Sequence, residues 1–115
     1  MHELAICQAL LERIEGLARE RSARVSRVRL AVGPLSGVEP GLLTRAYPLA
    51  CAGTFAEGSE LDIDESPVRV RCRTCGAESP ASANRLLCGE CGDWRTELAS
   101  GDQLLLVGVE LSRDV

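Results

Sequence analysis

The chain has 115 residues, 45% of them hydrophobic and 26% charged, which bounds it to one ordinary domain with room for a small appended module. A formal charge of −4 and a pI near 5.0 argue against nucleic-acid binding, which needs a basic patch to release counterions from phosphate. All thirteen basic residues are arginine, so no lysine serves a Walker A loop or a Schiff base, and one histidine, His2, makes a Ser-His-Asp or Cys-His arrangement hard to assemble; an enzyme is not expected.

In chain order, residues 3 to about 21 place Leu4, Cys7, Leu11, Ile14 and Ala18 at spacings of three and four, with Glu12, Arg13, Glu15, Arg19 and Glu20 on the other side. That pattern predicts an amphipathic helix. "VSRVRLAVG" alternates, with Val28, Leu30 and Val32 on one face and Arg27 and Arg29 on the other, until Gly33-Pro34 stops it. A second helix is expected from Glu39-Pro40 through Leu42, Leu43, Ala46 and Leu49 toward Cys51, with Pro48 bending it or ending it early. "ELDID" and "QLLLVGVEL" predict two further strands. Two helices would then cover one face of a small three-stranded sheet, leaving its arginine and aspartate face wet, an α+β arrangement. No stretch approaches the ~18 apolar residues of a membrane span, and the start lacks an apolar signal core, so a cytoplasmic protein is expected, with no membrane partner.

Between Ser66-Pro67 and Ser100-Gly101 periodicity gives way to "CRTCGAESPASANRLLCGECGDW", where Cys72, Cys75, Cys88 and Cys91 form two Cys-x-x-Cys pairs twelve residues apart. Cytoplasmic thiols stay reduced, which favours metal ligands over disulfides. Each pair lets two thiolates converge, and two pairs complete a tetrahedron of sulfurs at about 2.3 Å from Zn²⁺. Gly76 and Gly92 follow the pairs and let the chain curl so that amides face the sulfurs. An iron site has the same ligand pattern, but nothing in the sequence suggests redox partners. Residues 67–100 are therefore expected to form an inserted zinc-ribbon or knuckle module, and 1–66 with 101–115 the α/β module. Five arginines between Arg69 and Arg95 meet Glu78, Glu90, Asp93 and the negative tetrathiolate, and Trp94 is the only aromatic nearby, so nucleic acid is not expected there either. Cys7 and Cys51 fall on the two helices and are expected to be buried small hydrophobes.

The start of the chain has chemistry of its own. Methionine removal requires a small second residue, so Met1 is expected to stay before His2. The terminal amine with the deprotonated His2 amide closes a five-membered chelate, and that amide with the imidazole Nδ1 closes a six-membered one. Three coplanar nitrogens, completed by the Glu3 amide or another group, suit Ni(II) or Cu(II).

"MHELAICQALLERIE", "VRLAVGPLSGVEPGLL", "CAGTFAEGSELDI" and the ordered "CRTC" and "CGEC" resemble the HypA/HybF family of hydrogenase maturation nickel chaperones over essentially the whole chain. The resemblance implies a non-enzymatic protein that binds nickel at its N terminus, holds structural zinc at its cysteines, and works with the GTPase HypB to deliver nickel to the hydrogenase large-subunit precursor. Matching positions are His2 for nickel, with Met1 and Glu3 beside it, and Cys72, Cys75, Cys88 and Cys91 for zinc. A monomer or weak homodimer is expected. Two departures stand out: Pro48 falls where members continue the second helix, and no histidine flanks the cysteine pairs. The alternative is a zinc ribbon that binds another protein or nucleic acid and whose N terminus is idle.

Overall fold

The computed structural model describes residues 2–113 and shows an α+β fold of two helices and two three-stranded sheets. The chain forms two compact units. One comprises the segment through Leu30, Glu39–Ile63 and the segment from Leu106 onward; the other comprises Ala31–Val38 and Asp64–Leu105.

In the first unit, α1 (His2–Glu20) buries Cys7, Leu11, Ile14 and Ala18, the stripe its spacing predicts. It ends in a two-bond turn: the Ala23 N–H donates to the Ala18 carbonyl (3.0 Å) and the Ser22 N–H to that of Arg19 (3.1 Å). This is a Schellman closure, and the residue that takes its left-handed position is Ser22, at φ 49°. The helix α2 (Pro40–Cys51) opens with Pro40 in the first turn, where no N–H is needed, and the Glu39 carboxylate accepts from the Gly41 N–H. The Cys7 Sγ contacts the Leu43 carbonyl at 3.8 Å, and Glu3 lies at the main chain of Glu39, the same sequence separation. Two contacts with one offset mean that the helices run in the same direction.

The helix reaches Cys51 as expected, and of the two outcomes expected of Pro48 the early ending does not occur. Its buried residues are Leu43, Tyr47 and Cys51, whereas Leu42 and Leu49 are exposed, Leu49 by 72%. Beyond Pro48 the Ala52 N–H still donates to the Pro48 carbonyl at 3.1 Å. The missing Pro48 N–H orphans only the Thr44 carbonyl, and Thr44 and Pro48 are both exposed, so solvent can satisfy it. Cys7 and Cys51 are buried as expected, and burial pushes the Cys7 thiol up to about 11, which keeps it protonated and unreactive near neutral pH.

The strands β1 (Arg24–Val32), β2 (Glu60–Glu65) and β6 (Leu104–Ser112) form a sheet in the order β2-β1-β6. Val25, Val28, Leu30 and Val32 of β1 are buried. On the wet face the Arg27 guanidinium reaches Glu60, Asp62 and Glu110, joining all three strands through one side chain. Exposed pairs of this kind contribute about 0–1 kcal/mol each, and sharing one cation limits the entropy lost.

Within the second unit, β3 (Arg69–Cys72) pairs antiparallel with β4 (Glu78–Pro80) and β5 (Thr96–Ser100). Val70 and Cys72 are buried between Arg69 and Arg71, so "RVRC" is itself an alternating strand, too short to register as periodicity. Gly33, in the Ala31–Val38 segment of this unit, meets Gly101 closely: a Cβ there would lie 2.1 Å from the Gly101 carbonyl oxygen, an approach only glycine permits. The neighbouring bonds, Gly33 N–H to the Gln103 carbonyl and Leu35 N–H to the Gly101 carbonyl, are both 2.8 Å.

Candidate metal centre

The two cysteine pairs fold as near copies. In the first, the Gly76 N–H donates to the Cys72 carbonyl (3.0 Å) and the Cys72 N–H to the Ala77 carbonyl (2.9 Å). In the second, Gly92 donates to Cys88 and Cys88 to the Asp93 carbonyl, both at 3.0 Å. Gly76 and Gly92 carry φ of 76° and 75°, which closes each turn. The curl aims amides at sulfur: the Cys72 Sγ accepts from Thr74 (3.3 Å) and Cys75 (3.4 Å), and the Cys88 Sγ accepts from Glu90 and Cys91, both at 3.4 Å.

All four sulfurs lie within 4.8 Å of one another, the one such donor group among the described residues. Cys72–Cys91 and Cys75–Cys88 are each 3.6 Å apart. These are not disulfides, and the separation is close to the roughly 3.8 Å edge of a tetrahedron built on a Zn–S bond of about 2.3 Å. Cys72 and Cys88 are buried, Cys75 and Cys91 exposed. Their electrostatics divide the same way. The Cys75 and Thr74 amides hold the Cys72 thiol below its usual range, and those of Cys91 and Glu90 lower Cys88 to about 6. Against the pull of the Asp93 amide, Cys72, burial and Cys88 raise Cys91 to about 12, and against that of Ala77, Cys88 and burial raise Cys75. Each pair therefore sets one sulfur whose thiolate form is favoured against one whose thiol form is favoured. Four converging sulfurs, two already thiolate-like, fit a divalent ion that prefers sulfur.

Asp93 was not among the sequence-predicted site residues, yet it ties the two turns together. Its carbonyl takes the Cys88 N–H, its Oδ1 the Arg95 N–H (3.0 Å), and its Oδ2 the Thr74 hydroxyl across the gap between the pairs. Thr74 and Arg95 together hold the Asp93 carboxyl below the usual range. On the other side of the turns, the Gly89 N–H donates to the Oγ of buried Ser79 at 2.9 Å. The sequence signal was present: an aspartate follows the second Cys-x-x-Cys-Gly where Ala77 follows the first. Trp94 is 72% exposed, with the Arg95 guanidinium 5.6 Å from its ring centre.

His2 is the first residue of α1, its side chain 64% exposed, with Nδ1 3.6 Å from the Glu3 carboxylate. The Glu3 carboxyl is lowered by its own N–H, against partial burial, and then by His2 and the Glu39 amide. Met1 lies outside the described residues. The four cysteines thus converge on one point, and His2 and Glu3 sit side by side at the helix start.

The family model described as "Hydrogenase/urease nickel incorporation, metallochaperone, hypA" matches residues 1–111. The chain is 48% identical over 112 residues to the "Hydrogenase maturation factor HypA" of Nitrosospira multiformis, covering 96% of this chain and 97% of that one. It is 41% identical over 115 residues to the factor of the same name from Aquifex aeolicus, covering 99% and 100%. The solution structure of the Ni metallochaperone HypA from Helicobacter pylori shares the fold, at a TM-score of 0.67 and 20% identity over 97% of this chain and 98% of that one.

Proposed function

Since the chain belongs to the HypA family of nickel-incorporation metallochaperones for hydrogenase maturation, we propose that it binds one Ni(II) at its N terminus and delivers it, with the GTPase HypB, to the large-subunit precursor of a [NiFe]-hydrogenase. The observation that carries this reading is the placement of His2, exposed and first in α1. The opening N–H groups of a helix have no carbonyl partner within it, so a metal can replace the His2 amide proton without breaking a helical bond. The Met1 amine, the His2 amide and the imidazole Nδ1 then supply three nitrogens in one plane. The helix start carries partial positive charge, which opposes a cation there, and the Glu3 carboxylate beside the imidazole offsets it. Glu3 contributes through that charge or through its amide.

Zinc is the resident metal in this reading, held by Cys72, Cys75, Cys88 and Cys91. Bound there, it supplies a redox-inert tetrahedral cross-link. A cargo metal needs the opposite surroundings, since it must be able to leave. The test is calorimetric nickel titration of the untagged protein with its native N terminus, the same chain extended by one residue before Met1, and His2→Ala. Nickel binding should vanish in the second and third while zinc content stays constant. Unchanged affinity in the extended chain would exclude the amine as a ligand, and an idle N terminus would leave a zinc ribbon with some other partner.

A further inference from the structure

The hydrogen bonds that shape each cysteine turn stay within that turn: Cys72 with Ala77 and Gly76, Cys88 with Asp93 and Gly92. Splaying the two turns apart would open the cage, and those internal bonds do not resist splaying. One main-chain bond, from the Arg73 N–H to the Arg95 carbonyl (2.8 Å), joins the first turn to the strand that leaves the second, and two side-chain bonds cross the gap. One of these two, from the Gly89 N–H to the Ser79 Oγ, lies on the interior side, where Ser79, Cys72 and Cys88 are all buried. The other, from the Thr74 hydroxyl to the Asp93 carboxylate, is exposed and lies beside exposed Cys75 and Cys91. Thr74 precedes Cys75 directly, and Asp93 follows Cys91 by two residues. Opening on the solvent side therefore breaks the Thr74–Asp93 bond while the interior bond can act as a pivot.

From this geometry we infer that Thr74 and Asp93 are positioning residues that clasp the solvent side of the four-sulfur cage and set the rate at which its metal escapes. The clasp rests on reading the cysteines as a zinc cage. Asp93 suits the role because its main-chain carbonyl accepts from the Cys88 N–H and its carboxylate from the Arg95 N–H, which holds backbone and side chain in place before Thr74 reaches it. The first turn offers no equivalent, since Ala77 has no side-chain acceptor. A hydrogen bond to a charged acceptor is among the stronger ones, so its loss should show clearly in the rate.

The experiment compares Thr74→Val, which keeps the shape and loses the hydroxyl, with Thr74→Ser, which keeps the hydroxyl, and with Asp93→Ala. Each full-length protein is assayed for zinc content, for zinc transfer to the chelator 4-(2-pyridylazo)resorcinol, and, after cobalt substitution, for its visible spectrum. Per-cysteine iodoacetamide labelling is read by mass spectrometry. Transfer should be about tenfold faster in Thr74→Val and Asp93→Ala, and ordinary in Thr74→Ser, with the tetrathiolate cobalt spectrum of the parent in all three. Labelling should rise at Cys75 and Cys91 ahead of Cys72 and Cys88. Zinc-loaded Thr74→Val with parental transfer and labelling would overturn the clasp and leave the cage standing, as would Thr74→Ser behaving like Thr74→Val. A parent protein without zinc and without a tetrathiolate cobalt spectrum would overturn the cage itself, and the clasp with it.

Discussion

The four-cysteine cluster and the start of α1 are built in opposite ways. The cluster is assembled by the backbone: two glycine-closed turns bring four sulfurs within 4.8 Å, two of them buried and each of those two accepting a pair of amide bonds. The helix start has one exposed imidazole and one carboxylate beside it. The first arrangement would enclose an ion and constrain the chain around it; an ion at the second would stay open to solvent and to a competing ligand. The contrast suits a protein that keeps one metal and passes on another. It also predicts that the two sites can be lost separately.

The largest effect should come from Cys88→Ser. Structural zinc contributes roughly 10–16 kcal/mol in comparable small modules, so losing one of four ligands should weaken zinc by about 3 kcal/mol, more than a hundredfold. Zinc analysis should find the metal gone after mild chelation, and amide exchange should find protection lost from about 69 to 100. The helices should survive, and nickel should still bind at the N terminus. Loss of nickel together with zinc would erase the division between the sites. The converse variant, His2→Ala, should retain zinc and the exchange pattern of the parent, since an exposed first residue contributes little to a core.

A smaller effect separates the sites by proton release. In the metal-free cluster Cys72 and Cys88 are lowered and Cys75 and Cys91 raised, Cys88 to about 6 and Cys91 to about 12. Zinc requires four thiolates, so near neutral pH its binding must expel the protons of Cys75 and Cys91. The metal-free form holds more protons than the bound one, so zinc affinity rises with pH. With Cys75 and Cys91 both protonated, it should fall at least a hundredfold per pH unit on acidification near neutrality, and more steeply below about 6, where Cys88 also takes up a proton. Competition titrations across pH 5.5–8 would measure the slope, and a slope near zero would mean the cluster is already fully ionised.

The smallest effect lies at the end of α1. Ser22 holds a left-handed position at φ 49°, which costs a residue with a Cβ about 1 kcal/mol relative to glycine. Part of that is returned because glycine gains freedom in the unfolded chain, so Ser22→Gly should raise stability by only about 0.5 kcal/mol. Urea denaturation would resolve it, and both metal affinities should be unmoved. A change in nickel binding would mean that the far end of α1 communicates with its start.

The sequence made some of these features visible and concealed others for identifiable reasons. Cysteine spacing marks Cys72, Cys75, Cys88 and Cys91 as one cluster, because each Cys-x-x-Cys-Gly turn gathers two sulfurs locally and four sulfurs make a metal site. The buried stripe of α1 was equally plain, with charged residues on every other side. In α2 two stripes at helical spacing compete, Leu42-Ala46-Leu49 and Leu43-Tyr47-Cys51, and periodicity cannot say which faces inward. That choice is made by packing against α1, whose Cys7 Sγ meets the Leu43 main-chain carbonyl. Pro48 is read from sequence as bending the helix or ending it early because its cost depends on where the orphaned carbonyl points, which is a tertiary fact. Thr74 and Asp93 escaped notice because nineteen residues separate them and only the folded turns bring them into contact.

The close meeting of Gly33 with Gly101 sets a limit on how this sequence can drift. The atom a Cβ at position 33 would strike is a main-chain oxygen, 2.1 Å away, which no change of side chain elsewhere can remove. Gly37, by contrast, needs glycine only for its φ of 81° and has open space around it. In a saturation library selected for folded protein, position 33 should keep glycine alone, with no rescuing second-site change, whereas position 37 should also admit asparagine and aspartate, which tolerate that backbone. Two glycines four residues apart thus carry unequal evolutionary freedom, one fixed by a neighbour and the other only by its own geometry.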